Sequence, residues 1–252
     1  MDSKQALYNY TLRLADTNMI LGQRISEWTG HGPFLEEDLA LTNIALDIFG
    51  IAKSMYEYAA EIEGKGNDGD KLAYFRNERQ FMNPLLTEQP NGDYAKTIVR
   101  QVMMDCFDFY FYQALVKSKD QTLAGIASKA IKEATYHLRH SSSWLVRFGD
   151  GTEESHNRAQ DAINELWQYT DELFEMNEVD AVLLKEGVAV DLNSIKTKWQ
   201  SYMNGLIADS TLKKPENVFM KTGSRKGLHT EHLGFILAEM QILPRMYPEA
   251  NW

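Results

Sequence analysis

Glu133, His137 and His140 are the residues of this sequence whose types and spacing best suit chemistry. They lie four and then three residues apart, so they share one face of the long helix that we predict over Ile126 to Phe148. The apolar residues predicted on the same face are Ile126, Ala130, Trp144 and Phe148. Charged and polar groups on an apolar face are costly to bury unless something inside the fold pairs with them. The alternatives are a functional site and a hydrogen-bonded core histidine beside a salt-bridged glutamate.

Three more carboxylates fall on the apolar faces of other predicted helices. Asp47 lies in a helix predicted over 34–62, and Glu78 lies in a shorter one over 70–82. Asp105 lies in the long helix that precedes the central one. Four helices that each bring a carboxylate to one core follow the plan of the ferritin-like di-iron bundle, in which two helices also carry Glu-x-x-His. A structural salt bridge explains Asp47 equally well.

The imidazoles required by this plan are absent from their expected positions. Three residues after Glu78 stands Phe81, and three residues after Glu133 stands Tyr136. His137 comes one residue late, which turns its side chain about 100° further round the helix. We therefore predict a degenerate centre with these members: Asp47, Glu78, Asp105, Glu133 and His137. The alternative is an active di-metal oxidase that uses the same carboxylates, with His137 brought in by a shifted helix.

The composition narrows the class of protein. The chain has 252 residues, of which 44% are hydrophobic and 25% charged, and its formal net charge is −10. These values are ordinary for a globular protein with an ample core. The negative charge argues against nucleic acid and against an anionic membrane as partners, and no apolar run approaches the roughly 18 residues of a membrane span. A single cysteine, Cys106, fits a reducing compartment, so we expect a cytoplasmic protein.

Helical periodicity runs through the rest of the chain. It predicts a first helix over 4–28, a helix that starts at Thr152 and the two glutamates after it, and a further helix over 193–207. One more helix closes the chain. No stretch alternates for long enough to form a strand, so we predict an all-α fold, a ferritin-like helical bundle with extra C-terminal helices that forms a single domain over 1–252.

Two polar features near the C-terminus have both a functional and a structural interpretation. His229 and His232 lie three residues apart, so they face the same way in a helix and could pair on a metal. No recognisable third ligand accompanies them, and a hydrogen-bond network at the start of the helix is the favoured interpretation. The preceding loop carries Lys221, Arg225 and Lys226, which either bind ligand phosphates or face solvent.

Specific strings of residues follow one another along essentially the whole chain. They are Gln23-Arg24, Glu27-Trp28, Gly30-His31, Asp38-Leu39-Ala40-Leu41, Arg79-Gln80-Phe81, Glu88-Gln89-Pro90-Asn91-Gly92, Ala130-Ile131-Lys132-Glu133-Ala134, Tyr136-His137-Leu138-Arg139, and the run from Lys226 to Gly234. In this order they resemble the family of C subunits of the bacterial 1,2-phenylacetyl-CoA epoxidases.

The resemblance implies a role within a larger oxygenase. Each member of this family is ferritin-like and pairs with the homologous catalytic A subunit, which carries the di-iron centre, and we expect the B subunit as a further partner. The C subunit is then a structural partner with no catalytic residue and no metal or other cofactor of its own. The complex adds one oxygen atom from O₂ across the aromatic ring of phenylacetyl-CoA. Electrons come from a reductase subunit that uses NADPH, flavin and an iron–sulfur cluster.

The resemblance also implies substrate contacts on two segments. Their members are Gln80, Phe81, Met82 and Asn83 in the first and Ala181, Val182 and Leu183 in the second. The amides of Gln80 and Asn83 suit the pantetheine chain of coenzyme A, whereas the second segment offers little beyond backbone and apolar surface. Helix-end polar residues and a core segment are the structural alternative. A stand-alone helical binding protein without a redox partner is the remaining functional alternative.

Overall fold

The computed structural model describes residues 1–250, and every regular element within that range is a helix. The α-helices are α1 (Ser3–Ser26), α2 (Leu35–Glu63), α3 (Gly69–Tyr74), α4 (Tyr94–Leu115), α5 (Gln121–Gly149), α6 (Glu153–Leu166), α7 (Glu178–Glu186), α8 (Leu192–Asp209) and α9 (Glu231–Met246). Short 3₁₀ turns occupy Glu78–Gln80, Trp167–Tyr169, Asp171–Phe174 and Ser224–Lys226. The prediction of an all-α fold is confirmed.

Polar side chains fix the starts of most helices. Each of these residues accepts a hydrogen bond from a backbone N–H in the first turn of the helix that follows it: Asp2, Asp68, Asp93, Asp120, Thr152 and Asp191. Such caps satisfy donors that the first turn of a helix leaves without a partner. The helix start predicted at Thr152 is therefore confirmed.

Contacts divide the chain into two compact units. Unit 1 contains Met1–Gln89, Asn177–Leu183 and the chain from Gly223 on, and unit 2 contains Pro90–Met176 and Leu184–Thr222. In unit 1, α1 lies along α2, and α9 contacts α1 and α3. In unit 2, α4 lies along α5, and α6 and α8 contact both of them. The expectation of a single domain over 1–252 stays a prediction. No helix among the described residues is long and apolar enough to cross a membrane.

The helix α1 is buried on all sides over its middle. Every residue from Tyr10 to Gly22 is buried, and these include the charged residues Arg13 and Asp16. Charged groups in such surroundings need partners close by, because burial otherwise disfavours the charged form. The partners of α1 therefore determine how the rest of unit 1 is arranged.

The helix predicted over 70–82 is shorter than expected, and the inward orientation predicted for Glu78 is wrong. Helix α3 ends at Tyr74, and Glu78 is exposed in the 3₁₀ turn that follows. The chain leaves the helix because the side chain of Arg76 turns inward to a buried partner on α1. The backbone N–H of Asn77 then donates to the Gln80 side chain at 2.7 Å, which starts the new turn.

The buried face of α5 differs in part from the predicted one. Its buried residues are Leu123, Ala127, Ala130, Ala134, His137, Leu138, Ser141, Ser142, Leu145 and Gly149. Glu133, His140 and Trp144 lie half-buried along the edge of this face. Half of these residues are Ala or Ser, and the hydroxyl of Ser141 donates to Asp105 of α4. Of Glu133, His137 and His140, only His137 is buried as predicted.

Candidate functional site

A buried ion pair joins α1 to the chain that follows α3. Asp16 and Arg76 form this pair, and the Tyr56 hydroxyl donates to Asp16 at 2.6 Å. The Met82 backbone N–H donates to Asp16 Oδ2 at 3.0 Å, and Arg76 Nη1 donates to the Gln80 carbonyl oxygen at 2.7 Å. Buried charges are tolerated when each is paired and further hydrogen-bonded, as here. The pair therefore fixes the backbone at the start of the first predicted substrate segment.

The charges in this cluster shift two pKa values. Burial alone lowers the pKa of Arg76, but the charge and hydrogen bond of Asp16, together with Tyr56 and Tyr8, outweigh it, so the pKa of Arg76 is raised. Burial, followed by the charge of Asp16, raises the pKa of Tyr56 well above its ordinary value. Both groups are therefore protonated at neutral pH. The Arg76 guanidinium also lies 4.2 Å from the centroid of the Phe81 ring, within the range of a cation–π contact.

A second buried pair, Glu88 and His229, lies on the other side of the same segment. Both side chains are fully buried, and His229 Nδ1 lies 3.1 Å from Glu88 Oε2. His229 Nε2 lies 2.8 Å from the Phe81 carbonyl oxygen; since a carbonyl oxygen only accepts, Nε2 carries a hydrogen. Glu88 also accepts from the Thr230 backbone N–H at 2.7 Å and from Asn83 Nδ2 at 3.3 Å. The hydrogen-bond network favoured for this position is present at His229, because both ring nitrogens face protein oxygens. The absence of a metal at His229 and His232 stays a prediction.

The second predicted substrate segment, residues 181–183, lies in α7 and is also anchored to α1. Asp180, immediately before it, is fully buried and forms two hydrogen bonds with Arg13, of 2.6 and 3.1 Å. Arg13 and Asp16 are three residues apart on α1, so they share one side of that helix. The structure thus attaches both predicted substrate segments to neighbouring positions of α1.

The side chains of the two predicted substrate segments differ in solvent exposure. Phe81 and Asn83 are 0% exposed and Leu183 is 1% exposed, so these side chains build the fold. The members that are exposed or half-buried are Gln80, Met82, Ala181 and Val182. The amide of Asn83 binds Thr87 and Glu88 inside the fold, which contradicts the expectation that it is offered to a ligand. Gln80 lines an open cleft of about 1110 Å³ within unit 1.

The members of the predicted degenerate centre do not form a di-iron donor set. Asp47 is half-buried and Glu78 is exposed, both in unit 1, whereas Asp105, Glu133 and His137 belong to unit 2. Among residues 1–250, no group of three or more His, Cys, Asp or Glu side chains is placed to hold a metal ion. The residues present therefore do not fit a di-iron centre in this chain. That the chain binds no metal stays a prediction.

Within unit 2, α4 and α5 bring Asp105 and His137 into electrostatic contact. Asp105 is buried and accepts from Gln101 Nε2 and from Ser141 Oγ, each at 2.7 Å. Burial raises the pKa of Asp105, and the nearby His137 opposes this rise. The arrangement is a hydrogen-bonded acid beside a buried histidine. The structural alternative, a hydrogen-bonded histidine beside a salt-bridged Glu133, stays a prediction.

Comparison with known proteins identifies the family. Residues 1–252 match the family described as phenylacetic acid catabolic protein. The chain belongs to this family. It is 50% identical over 243 residues to the C subunit of the 1,2-phenylacetyl-CoA epoxidase of Escherichia coli K12, a match that covers 96% of this chain and 98% of that protein. Both the resemblance seen in the sequence and the ferritin-like helical fold of the phenylacetic acid catabolic protein family are confirmed.

The sequence reasoning missed four charged residues of this family member that organise the site. They are Arg13, Asp16, Arg76 and Glu88. A signal for the first two was present, because Arg13 and Asp16 are three residues apart within a predicted helix that is otherwise rich in apolar residues. For Arg76 and Glu88 no local signal exists, since their partners lie 60 and 141 residues away in the chain.

The effect of buried negative charge on the stability of unit 2 can be tested at Asp108. Asp108 is half-buried. The loss of solvent around its carboxyl group, followed by the negative charge of Asp105, raises the pKa of Asp108 well above its usual value of 3.8. An acid whose pKa is raised in the folded state destabilises the fold as the pH rises from the unfolded-state value through the folded-state value. We therefore expect Asp108→Asn to increase the free energy of unfolding at pH 7 and to change it little near pH 3.

Urea unfolding at both pH values measures this difference. Asp161→Asn is the control, because Asp161 is an exposed aspartate on α6, and we expect it to show no such pH dependence. If Asp108→Asn changed the free energy of unfolding equally at the two pH values, the charged form of Asp108 would not be what destabilises the fold at pH 7.

Proposed function

We propose that this chain is a non-catalytic structural subunit of a phenylacetyl-CoA 1,2-epoxidase complex that acts in aerobic phenylacetate degradation. The observation that carries the proposal is the 50% identity with the E. coli protein named as the C subunit of that enzyme. Because the match covers 96% of this chain and 98% of the relative, it includes nearly the whole relative rather than one shared module. Membership of the phenylacetic acid catabolic protein family supports the same pathway.

The proposal assigns the redox chemistry to other subunits. The homologous catalytic A subunit is the main partner and carries the di-iron centre, with the B subunit as a further partner. The di-iron group supplies activation of O₂ for transfer of one oxygen atom to the aromatic ring. NADPH, flavin and an iron–sulfur cluster belong to the reductase subunit, and this chain binds no cofactor. The donor residues of this chain, which do not fit a di-iron centre, support that division.

We also propose that unit 1 contacts the substrate. The first segment, residues 80–83, exposes Gln80 and part of Met82, and the second segment exposes Ala181 and part of Val182. A carboxamide donates to and accepts from the secondary amides of a pantetheine chain, and the apolar groups suit its methylene carbons. Anchoring of both segments to α1 supports a single shared contact with the acyl-CoA substrate.

Glu133→Gln tests the absence of an iron ligand in this chain. In a complex reconstituted with the partner subunits, we expect this variant to leave both bound iron and turnover of phenylacetyl-CoA unchanged. The physical reason is that Glu133 is not part of a metal-binding cluster among the described residues. We also expect a loss of stability of about 1–3 kcal/mol, since the groups around the half-buried carboxylate lose a charged partner.

Iron content and epoxidation rate are measured on the assembled complex, and complex with the native chain is the control. Removal of a true ligand abolishes turnover, because it removes the centre that activates O₂. Loss of both iron and activity in a Glu133→Gln complex that still assembles would show that this chain is itself a metal-bearing catalyst, and so favour the active di-metal oxidase.

A further inference from the structure

The backbone of residues 80–83 is bound by ionisable side chains from distant parts of unit 1. Three hydrogen bonds hold consecutive residues, and they are Arg76 Nη1 to the Gln80 carbonyl oxygen at 2.7 Å, His229 Nε2 to the Phe81 carbonyl oxygen at 2.8 Å, and the Met82 N–H to Asp16 Oδ2 at 3.0 Å. Backbone groups are usually satisfied within helices or sheets. Here the conformation depends instead on the buried ion pair Asp16–Arg76 and on the buried hydrogen-bonded pair Glu88–His229.

The same two pairs hold the inward-facing side chains of this segment. The Phe81 backbone is extended, with φ −83° and ψ 151°, so neighbouring side chains point to opposite sides. The Phe81 ring lies beneath the Arg76 guanidinium, and the Asn83 amide donates to Glu88. With Phe81 and Asn83 held inside, Gln80 and Met82 are directed outward.

We propose that the pairs Asp16–Arg76 and Glu88–His229 are positioning residues for binding of the acyl-CoA substrate. The two pairs fix the backbone so that the Gln80 carboxamide contacts the amide-bearing pantetheine chain. Their effect on the substrate is indirect, because Gln80 and Met82 make the contact and the pairs do not touch the reacting atoms. This inference rests on the proposed function. Buried ion pairs stabilise a fold no better than well-packed apolar residues of similar volume, but they can fix one particular geometry, and a binding surface requires that geometry.

The pairs can be tested by removing the bonds to the segment one at a time. Asp16→Ala removes the acceptor of the Met82 N–H together with the partner of Arg76. Asp16→Asn keeps an oxygen that accepts from Met82, so it is the conservative variant. His229→Asn is a milder change in the second pair, because the shorter amide reaches the Glu88 side but not the Phe81 carbonyl.

A control variant is needed to distinguish an effect on substrate positioning from a general loss of protein stability. Ile44→Ala empties part of the core on α2, where Ile44 is 0% exposed, and removes no hydrogen bond to the segment. Each variant is assembled with the partner subunits, its melting temperature is recorded, and kcat and KM for phenylacetyl-CoA are measured on the assembled complex.

We expect Asp16→Ala and His229→Asn to raise KM by about tenfold or more, in keeping with the effect of small misplacements, while kcat at saturation stays near the native value. Asp16→Asn should recover part of the native KM, and Ile44→Ala should keep it.

If Asp16→Ala fails to assemble, the KM values of His229→Asn and Asp16→Asn test the positioning role. A native KM in assembled His229→Asn, or an equal rise in Ile44→Ala, would overturn the positioning role. Failure of the native chain itself to assemble or to support turnover would instead overturn the proposed function and this inference with it.

Discussion

Replacing Arg13 by methionine is expected to lower the free energy of unfolding by about 3–5 kcal/mol, because it leaves Asp180 buried without its charged partner. Asp180 is 0% exposed, and its two hydrogen bonds to Arg13 join α7 to α1. Burial alone raises the pKa of Asp180, but the hydrogen bonds and charge of Arg13 outweigh it, so the pKa is lowered. The stabilisation from the pair is therefore present above the unfolded-state value near 3.8 and is lost as the pH falls through the folded-state value.

Urea unfolding at pH 7 and near pH 3 measures the effect of Arg13→Met, and we expect a larger loss at pH 7. Arg158→Met is the matched control, since Arg158 pairs with Glu154 at 2.6 Å on the surface, with side chains that are 53% and 74% exposed. An exposed pair of this kind contributes at most about 1 kcal/mol. Equal losses in the two variants would show that the Arg13–Asp180 pair does not hold α7 in place.

Gly149→Ala is expected to lower the free energy of unfolding of unit 2 by about 3 kcal/mol or more, as overpacking against a fixed backbone does. A Cβ at Gly149 would lie 1.7 Å from the Ser210 carbonyl oxygen at the end of α8. The Gly149 carbonyl oxygen also accepts from the Thr211 hydroxyl at 3.0 Å, so the two helix ends cannot separate without losing this bond.

Gly125→Ala is the matched control for Gly149→Ala. Gly125 lies on the same helix and is exposed, and a Cβ there would meet nothing within 4 Å. We expect this variant to raise the free energy of unfolding by about 1 kcal/mol, because alanine favours the helix more than glycine does. Thermal or urea unfolding of both variants provides the measurement. An increase in stability in Gly149→Ala would contradict the close approach of α5 and α8.

Most helices could be predicted because their apolar residues recur with the helical period. The predictions over 4–28, 34–62 and 193–207 match α1, α2 and α8 to within two residues at each end. The prediction over 70–82 failed because the chain there follows a contact that no local pattern encodes. Arg76 bonds to Asp16, 60 residues earlier, and this tertiary contact outweighs the helical preference of the segment.

The candidate site was predicted less completely than the fold. The two predicted substrate segments were inferred from resemblance. The inward orientation of Phe81 and Asn83 in the first segment goes with contacts to His229 and Glu88, which are 141 residues apart. The inward face of α5 was predicted to include Trp144 and Phe148, which are half-buried, whereas Ser141 and Ser142 are buried. The substrate role of the two segments stays a prediction, and the orientation of their side chains goes with long-range contacts that no local pattern encodes.

We propose that this chain supports a homologous di-iron subunit and is not itself the oxygenase. The most direct measurement compares iron content and epoxidation of phenylacetyl-CoA in the isolated chain after aerobic iron loading, in the isolated catalytic subunit and in the assembled complex, with the reductase present each time. We expect a stable complex whose iron belongs to the partner subunit, and no epoxidation by the isolated chain. A di-iron centre and substrate turnover in the isolated chain would contradict it.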